Sequence, residues 1–143
     1  MRVAIGSDHA GFKLKEIIKA YLKRKKIEFM DFGTDSEESV DYPDYAKPVA
    51  EAVATGEFDR GILVCGSGVG VTIVANKVKG IRAVNAYNSY TAKQSRQHGD
   101  CNVLCLAGRN PNKAKATKMV SVWLKARFSG DERHLRRIRK IED

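Results

Sequence analysis

Cys65 opens the run Cys65-Gly66-Ser67-Gly68-Val69-Gly70, directly after the apolar stretch Ile62-Leu63-Val64. Alternating glycines let the backbone turn tightly and aim N–H groups into a cavity at the start of a helix. Such donors can hold a phosphate, a carboxylate or a developing oxyanion. The turn is not a P-loop, because no Gly-Lys-Ser/Thr ends it, and Val71 breaks the G-x-G-x-x-G spacing. A thiol between a strand and a helix sits where the dipole favours the thiolate, which can act as nucleophile or general base. The other reading of a free cysteine is a small buried hydrophobe. Cys101 and Cys105 flank and enter an apolar run and read as packing residues.

The histidines carry a similar ambiguity. His9 follows Asp8, His98 ends a polar helical stretch, and His134 stands among arginines. A single histidine reads as structural or solvated, whereas several placed with Cys65 read as acid–base groups. Arg133 and Arg137 are four apart, so a helical tail puts both guanidinium groups on one face. Paired arginines suit bidentate binding of phosphate, and the alternative is a solvated basic tail. No spacing of His, Asp and Glu suggests a metal site, and the acidic residues between 35 and 41 read as a solvated loop.

The elements that must position these groups alternate regularly. Val3-Ala4-Ile5 predicts a first strand; Leu14, Ile17, Ile18, Tyr21 and Leu22 form one apolar helix face after it. A second strand is predicted over 27–32 and a helix through Val49, Ala50 and Val53, with Pro48 near its first turn and Gly56 ending it. Ile62 to Cys65 make the third strand, followed by a short helix toward Lys77. Residues 81–86 predict a fourth strand, 90–98 a polar helix and 103–106 a fifth strand. Asn110-Pro111 reads as cap and first turn of a long helix through Val120, Trp123 and Leu124. Leu135, Ile138 and Ile141 suggest a short basic helical tail over about 131–143. The pattern predicts an α/β fold: one domain over 1–143, Rossmann-like and three-layered, with a five-stranded mainly parallel sheet and helices on both faces. Ligands bind such sheets at the carboxyl ends of the strands. Ser7-Asp8-His9, Cys65 with its glycines, Asn85 to Ser89 and Gly108-Arg109 all follow predicted strands.

With 143 residues the chain can bury one core, and no apolar stretch is long enough to span a membrane. The opening Met-Arg-Val-Ala-Ile-Gly lacks a signal-peptide pattern, so a cytoplasmic protein is expected. Three cysteines without C-x-x-C spacing argue against a disulfide framework or a zinc site. The net charge of +9 falls mostly between 13 and 26 and between 133 and 140, and much of the first cluster lies on the solvated side of a helix. Nucleic acid is one answer to that charge, but the chain lacks aromatic–basic interleaving and any helix-turn-helix pattern.

Several motifs occur in order: Ser7-Asp8-His9-Ala10-Gly11-Phe12, Asp41-Tyr42-Pro43, Gly61-Ile62-Leu63-Val64-Cys65-Gly66-Ser67-Gly68-Val69-Gly70, Ala75-Asn76-Lys77, Gly80-Ile81-Arg82-Ala83, Ser95-Arg96-Gln97-His98 and Asn102-Val103-Leu104. Together they closely resemble the type B ribose-5-phosphate isomerases, nearly end to end. The resemblance implies a homodimer, or a dimer of dimers, acting on a small phosphosugar without cofactor, metal, nucleic acid or membrane. The implied reaction interconverts D-ribose 5-phosphate and D-ribulose 5-phosphate, a step of the pentose phosphate pathway, through a cis-enediolate. Carried over by position, Cys65 takes the C2 proton, His98 assists ring opening and Ser67 shuttles protons at the sugar oxygens. Asp8 meets sugar hydroxyls, and the amides of Gly66, Gly68 and Gly70 stabilise the enediolate. His9, Arg109, Arg133 and Arg137 match phosphate-binding positions, some across the dimer interface, and Tyr42 matches an aromatic position near the pocket.

Three positions depart from the family pattern. Ser67 replaces a threonine, retaining the hydroxyl without the methyl that restricts its rotamer. Gly99 replaces an asparagine expected to help hold the substrate, a role left to water or to a neighbour such as Asn102. Asp131-Glu132 puts two carboxylates beside Arg133. Two other functions fit the same motifs: an isomerase of six-carbon aldose 6-phosphates such as allose or galactose 6-phosphate, and a noncatalytic phosphosugar- or nucleotide-binding module.

Overall fold

Val3, Ala4 and Ile5, like Ile62, Leu63 and Val64, are wholly enclosed, as continuous apolar runs must be when helices cover both faces of a sheet. A computed structural model describes residues 1–143. Its strands are β1 (Arg2–Ser7), β2 (Glu28–Asp31), β3 (Arg60–Cys65), β4 (Ala83–Asn85) and β5 (Val103–Ala107). The helices are α1 (Phe12–Arg24), α2 (Pro43–Ala54), α3 (Val69–Asn76), α4 (Ser89–Gly99), α5 (Lys113–Lys125) and α6 (Glu132–Glu142). The sheet order is β2-β1-β3-β5-β4, and every pairing is parallel, so the mainly parallel sheet expected from sequence is fully so.

Crossovers between parallel strands are right-handed, so a reversal of direction along the sheet moves the connecting helix to the other face. Leu14, Ile18 and Leu22 of α1, Ala92 of α4, and Val120 and Trp123 of α5 share one core. Val49, Ala50 and Val53 of α2 and Val71 and Ala75 of α3 share the other. The helix after β3 therefore lies on the face opposite the helices that follow its neighbours β1 and β5. That arrangement opens a crevice at the carboxyl ends of these central strands. Ser7 and Cys65 end two of them.

Three local expectations change. The fourth strand shortens to Ala83–Asn85, because the Ile81 amide turns back to the Val78 carbonyl at 3.1 Å and the Arg82 amide donates to Asn102 Oδ1 at 2.9 Å. Asn112 caps α5, not Asn110: its Oδ1 accepts the Lys115 amide at 3.0 Å, while Asn110 sits at φ 50° in the preceding turn. Pro43 occupies the first turn of α2, so Pro48 lies inside the helix rather than near its start. The predicted stop at Gly56 holds, with φ 79° just beyond the end of α2.

One polar cluster lies within this apolar frame. Lys15 of α1 is 0% exposed, and its ammonium donates to both carboxylate oxygens of Asp31, at 2.7 and 2.9 Å, and to the Thr34 carbonyl. Lys19 reaches the same carboxylate at 2.7 Å, and the Gly33 amide donates to it at 2.8 Å. Burial alone would raise the Asp31 carboxyl, but the hydrogen bonds from Lys15, Lys19 and Gly33 outweigh it and hold the group below its usual range. The pairing therefore stabilises the fold fully above the unfolded carboxylate value of about 3.9 and is lost as pH falls through the lower folded value. Asp31→Asn should lower stability by about 1.5–3 kcal/mol at neutral pH. Urea melts of both proteins from pH 7 to 3 should show that difference shrinking only below about pH 4.

Candidate active site

Cys65 ends β3 with 4% of its surface exposed, and its sulfur accepts the Gly68 amide at 3.1 Å. This bond closes the turn before α3. Gly68 adopts φ 80°, and a Cβ there would lie 2.5 Å from Asn85 Oδ1, so both conformation and space demand glycine. The Val69 amide donates to Ser67 Oγ at 3.2 Å. Within the turn, the amides of Ser67 and Gly70 donate to no group of the chain. They remain available as anion donors at the helix N-terminus. The Gly68 N–H, expected as an oxyanion donor, is instead engaged by the sulfur.

The ends of the flanking strands complete this cleft. The Asp8 amide binds the Val64 carbonyl at 3.2 Å, seating the buried Asp8 carboxyl beside the Cys65 turn. Asp8 Oδ1 accepts the Gly11 amide at 3.0 Å. His9 Nδ1 accepts the Val40 amide at 3.2 Å. A ring nitrogen that accepts carries no proton, so neutral His9 is a donor through Nε2. Arg109 is exposed, lies against Gly66 and has no carboxylate partner. The Tyr42 ring covers Gly70. Ser67, Asn85, Tyr87 and Arg109 line a cleft of about 320 Å³. Asn85, noted in the sequence by its place near the end of the fourth strand but given no role there, ends β4 and donates through Nδ2 to the Ser67 carbonyl at 3.3 Å.

The other cysteines are set apart chemically. Complete burial pushes the Cys105 thiol up to about 12, and burial also raises Cys101. Neither is suited to accept a proton near neutral pH. No group of three or more His, Cys, Asp and Glu side chains is placed to hold a metal ion, and no helix is long and apolar enough to cross a membrane.

His98, Gly99, Arg133 and Arg137 do not join the Cys65 cleft within the chain. Helix α4 runs antiparallel to the strands, and its eleven residues rise about 16 Å, carrying His98 and Gly99 to the opposite edge of the sheet. There the Arg82 guanidinium binds the Gly99 carbonyl at 2.8 Å, the Asp100 carbonyl at 3.0 Å and Glu142 of α6 at 2.5 Å. Exposed His98 stacks on buried His134, with ring centroids 4.2 Å apart. Burial, with the His98 and Arg133 charges beside it, lowers the His134 pKa from its ordinary value. Arg133 lies 3.9 Å from Asp131, whereas Glu132 turns to Arg139 at 3.7 Å, so one of the two extra carboxylates engages Arg133. Asn102 cannot stand in for a side chain at Gly99, because its amide is bound to the Arg82 amide and the Gly80 carbonyl.

Residues 3–141 match the model of the ribose/galactose isomerase family. The chain belongs to that family. It is 49% identical to ribose-5-phosphate isomerase B of Escherichia coli K12, over 98% of this chain and 93% of that one. The structure of Clostridium thermocellum ribose-5-phosphate isomerase B superposes with a TM-score of 0.97 at 51% identity, covering 99% of this chain and 95% of that chain. The Mycoplasma genitalium enzyme, solved with bound ribulose 5-phosphate, has a TM-score of 0.93 at 45% identity, with 99% and 93% covered. Within this isomerase family fold, Gly68 is the residue on which the cysteine geometry turns. Gly68→Ala should reduce kcat/KM by on the order of 100-fold, because it displaces both the sulfur's donor and Asn85. Steady-state kinetics on the folded variant check this, and wild-type turnover would refute the geometric argument.

Proposed function

We propose that the chain is a cytoplasmic, homodimeric aldose–ketose isomerase that interconverts D-ribose 5-phosphate and D-ribulose 5-phosphate without a metal. The observation that carries the reading is the Cys65 thiol at the end of β3, bonded to the Gly68 amide and flanked by the Ser67 hydroxyl and free turn amides. Family membership and the E. coli and M. genitalium relatives support the substrate.

Isomerisation needs a base for a proton beside a carbonyl, donors for the oxyanion formed, and acid–base help at two oxygens. With the open-chain aldose bound, Cys65 as thiolate takes the C2 proton, and the C–H electron pair forms the C1=C2 bond. Charge moves to O1, where the Ser67 and Gly70 amides face it at the helix N-terminus. Ser67 relays a proton from O2 to O1, giving the C2 carbonyl as Cys65 returns its proton to C1. Asp8 holds sugar hydroxyls, while His9 Nε2–H and the unpaired Arg109 hold the phosphate.

His98 acts at the ring oxygen, and Arg133 and Arg137 on the phosphate, from a second copy of the chain. Two features support this. These residues lie at the far edge of their own sheet, beyond reach of their own Cys65. Val69, Ile73, Tyr87 and Tyr90 are exposed apolar and aromatic side chains, Tyr87 lines the cleft, and a two-fold partner would cover such residues.

EDTA-treated protein should form ribulose 5-phosphate from ribose 5-phosphate, and Cys65→Ala should abolish this while leaving the fold intact. Inactive wild-type protein would refute the assigned substrate; loss only after chelation would refute metal independence. Cys65→Ala and His98→Asn, each inactive alone, should recover about a quarter of wild-type activity when unfolded and refolded as an equal mixture, because each mixed dimer holds one intact site. No recovery would show that the two residues do not act across an interface.

A further inference from the structure

Lys15 is the only lysine enclosed completely, and its three N–H donors are matched by three acceptors, two on Asp31 and one on the Thr34 carbonyl. A buried ion pair is a poor source of stability by itself, since apolar residues of similar volume stabilise as well or better. What the charge does here is fix geometry. Asp31 ends β2, and Thr34 begins the loop that leads to α2. The same loop is fastened to the end of β1: the Ser7 amide donates to the Gly33 carbonyl and the Thr34 amide to the Ser7 carbonyl, each at 2.7 Å. Lys15 thus ties α1, β2 and the loop together immediately beside Asp8 and His9. Farther along that loop, the Val40 amide sets the His9 tautomer, and Tyr42 lies over Gly70. Lys15 itself does not line the Ser67–Arg109 cleft.

We propose that Lys15 is a positioning residue for the phosphate end of the site. By holding Asp31 and the Thr34 carbonyl, it sets the loop over 32–41 so that the Val40 N–H keeps His9 protonated on Nε2 and aimed at the phosphate. The inference rests on the reading of His9 as a phosphate ligand. Its effect belongs on substrate affinity and not on proton transfer, because Cys65 ends β3 and Ser67 lies in the turn after it, outside the tie.

The test compares Lys15→Met, Val40→Pro and His9→Ala, reading KM and kcat for ribose 5-phosphate and the inhibition constant of inorganic phosphate as competitor. Lys15→Met keeps volume without charge, and Val40→Pro removes the loop N–H that His9 accepts. Both should raise KM and the phosphate inhibition constant together, by about 10-fold, with kcat within about threefold of wild type. Lys15→Met added to His9→Ala should raise neither constant further, since the two act through one contact. A melting temperature lowered by Lys15→Met with unchanged KM and phosphate inhibition overturns the proposal, as does an additive loss in the double variant. If Lys15→Met fails to fold, Asp31→Asn, which keeps the shape, replaces it with the same expectation and the same refuting outcomes. If His9→Ala leaves phosphate inhibition unchanged, the assignment of His9 fails, a result distinct from an effect of His9 that Lys15 does not share.

Discussion

Direction along the sheet is the constraint from which the rest follows. Because all strands are parallel, each helix returns antiparallel to them, and the two edges of the sheet become chemically different. The carboxyl edge collects strand ends and helix beginnings, where amides are unpaired and anions are stabilised. Cys65, Ser67, Asp8, His9 and Arg109 all stand there. The amino edge collects helix ends, and with them His98 and the arginines of α6. A single chain therefore carries the two groups of residues facing opposite ways, and the proposed chemistry joins them through a second copy.

Within the carboxyl edge, a few backbone hydrogen bonds decide which donors are engaged and which stay free. Gly68 donates to the Cys65 sulfur, which leaves the Ser67 and Gly70 amides as the free donors of the turn. A charged sulfur accepts such a bond more strongly than a neutral one. Val40 donates to His9 Nδ1, so the neutral imidazole has its N–H on Nε2. Burial raises Cys105 to about 12, which removes the other sheet cysteine from acid–base work. The first two of these outcomes depend on which backbone group lies beside the side chain, and the third on how deeply the thiol is buried.

The opposite edge is organised by Arg82, whose guanidinium joins the end of α4 to α6. That junction brings His134 under His98 and fixes where Arg133 and Arg137 leave the surface. Gly99 has only Cys101 Sγ near an added Cβ, at 3.3 Å, and no positive φ, so the fold places no demand for glycine there. Its lack of a side chain is a property of the surface beside His98, not of the helix end.

Much of the fold was legible because its signals are local. Short continuous apolar runs such as Ile62-Leu63-Val64 are typical of covered strands, and the Leu14, Ile18 and Leu22 spacing marks one buried helix face. Boundaries governed by longer contacts were not: Asn102 shortens β4 from twenty residues away, and the choice of Asn112 over Asn110 as cap depends on the path of the preceding turn. The sequence alone determined the parallel α/β class, the grouping of Asp8, Cys65 and Arg109 after strands, and the family. Tertiary structure decided that His98 and Arg133 lie across the sheet from Cys65, which amides remain free, and that Lys15 is buried. The physical reason is that periodicity records which face of an element is covered, whereas the partner of a charge or an amide depends on distant segments meeting in space.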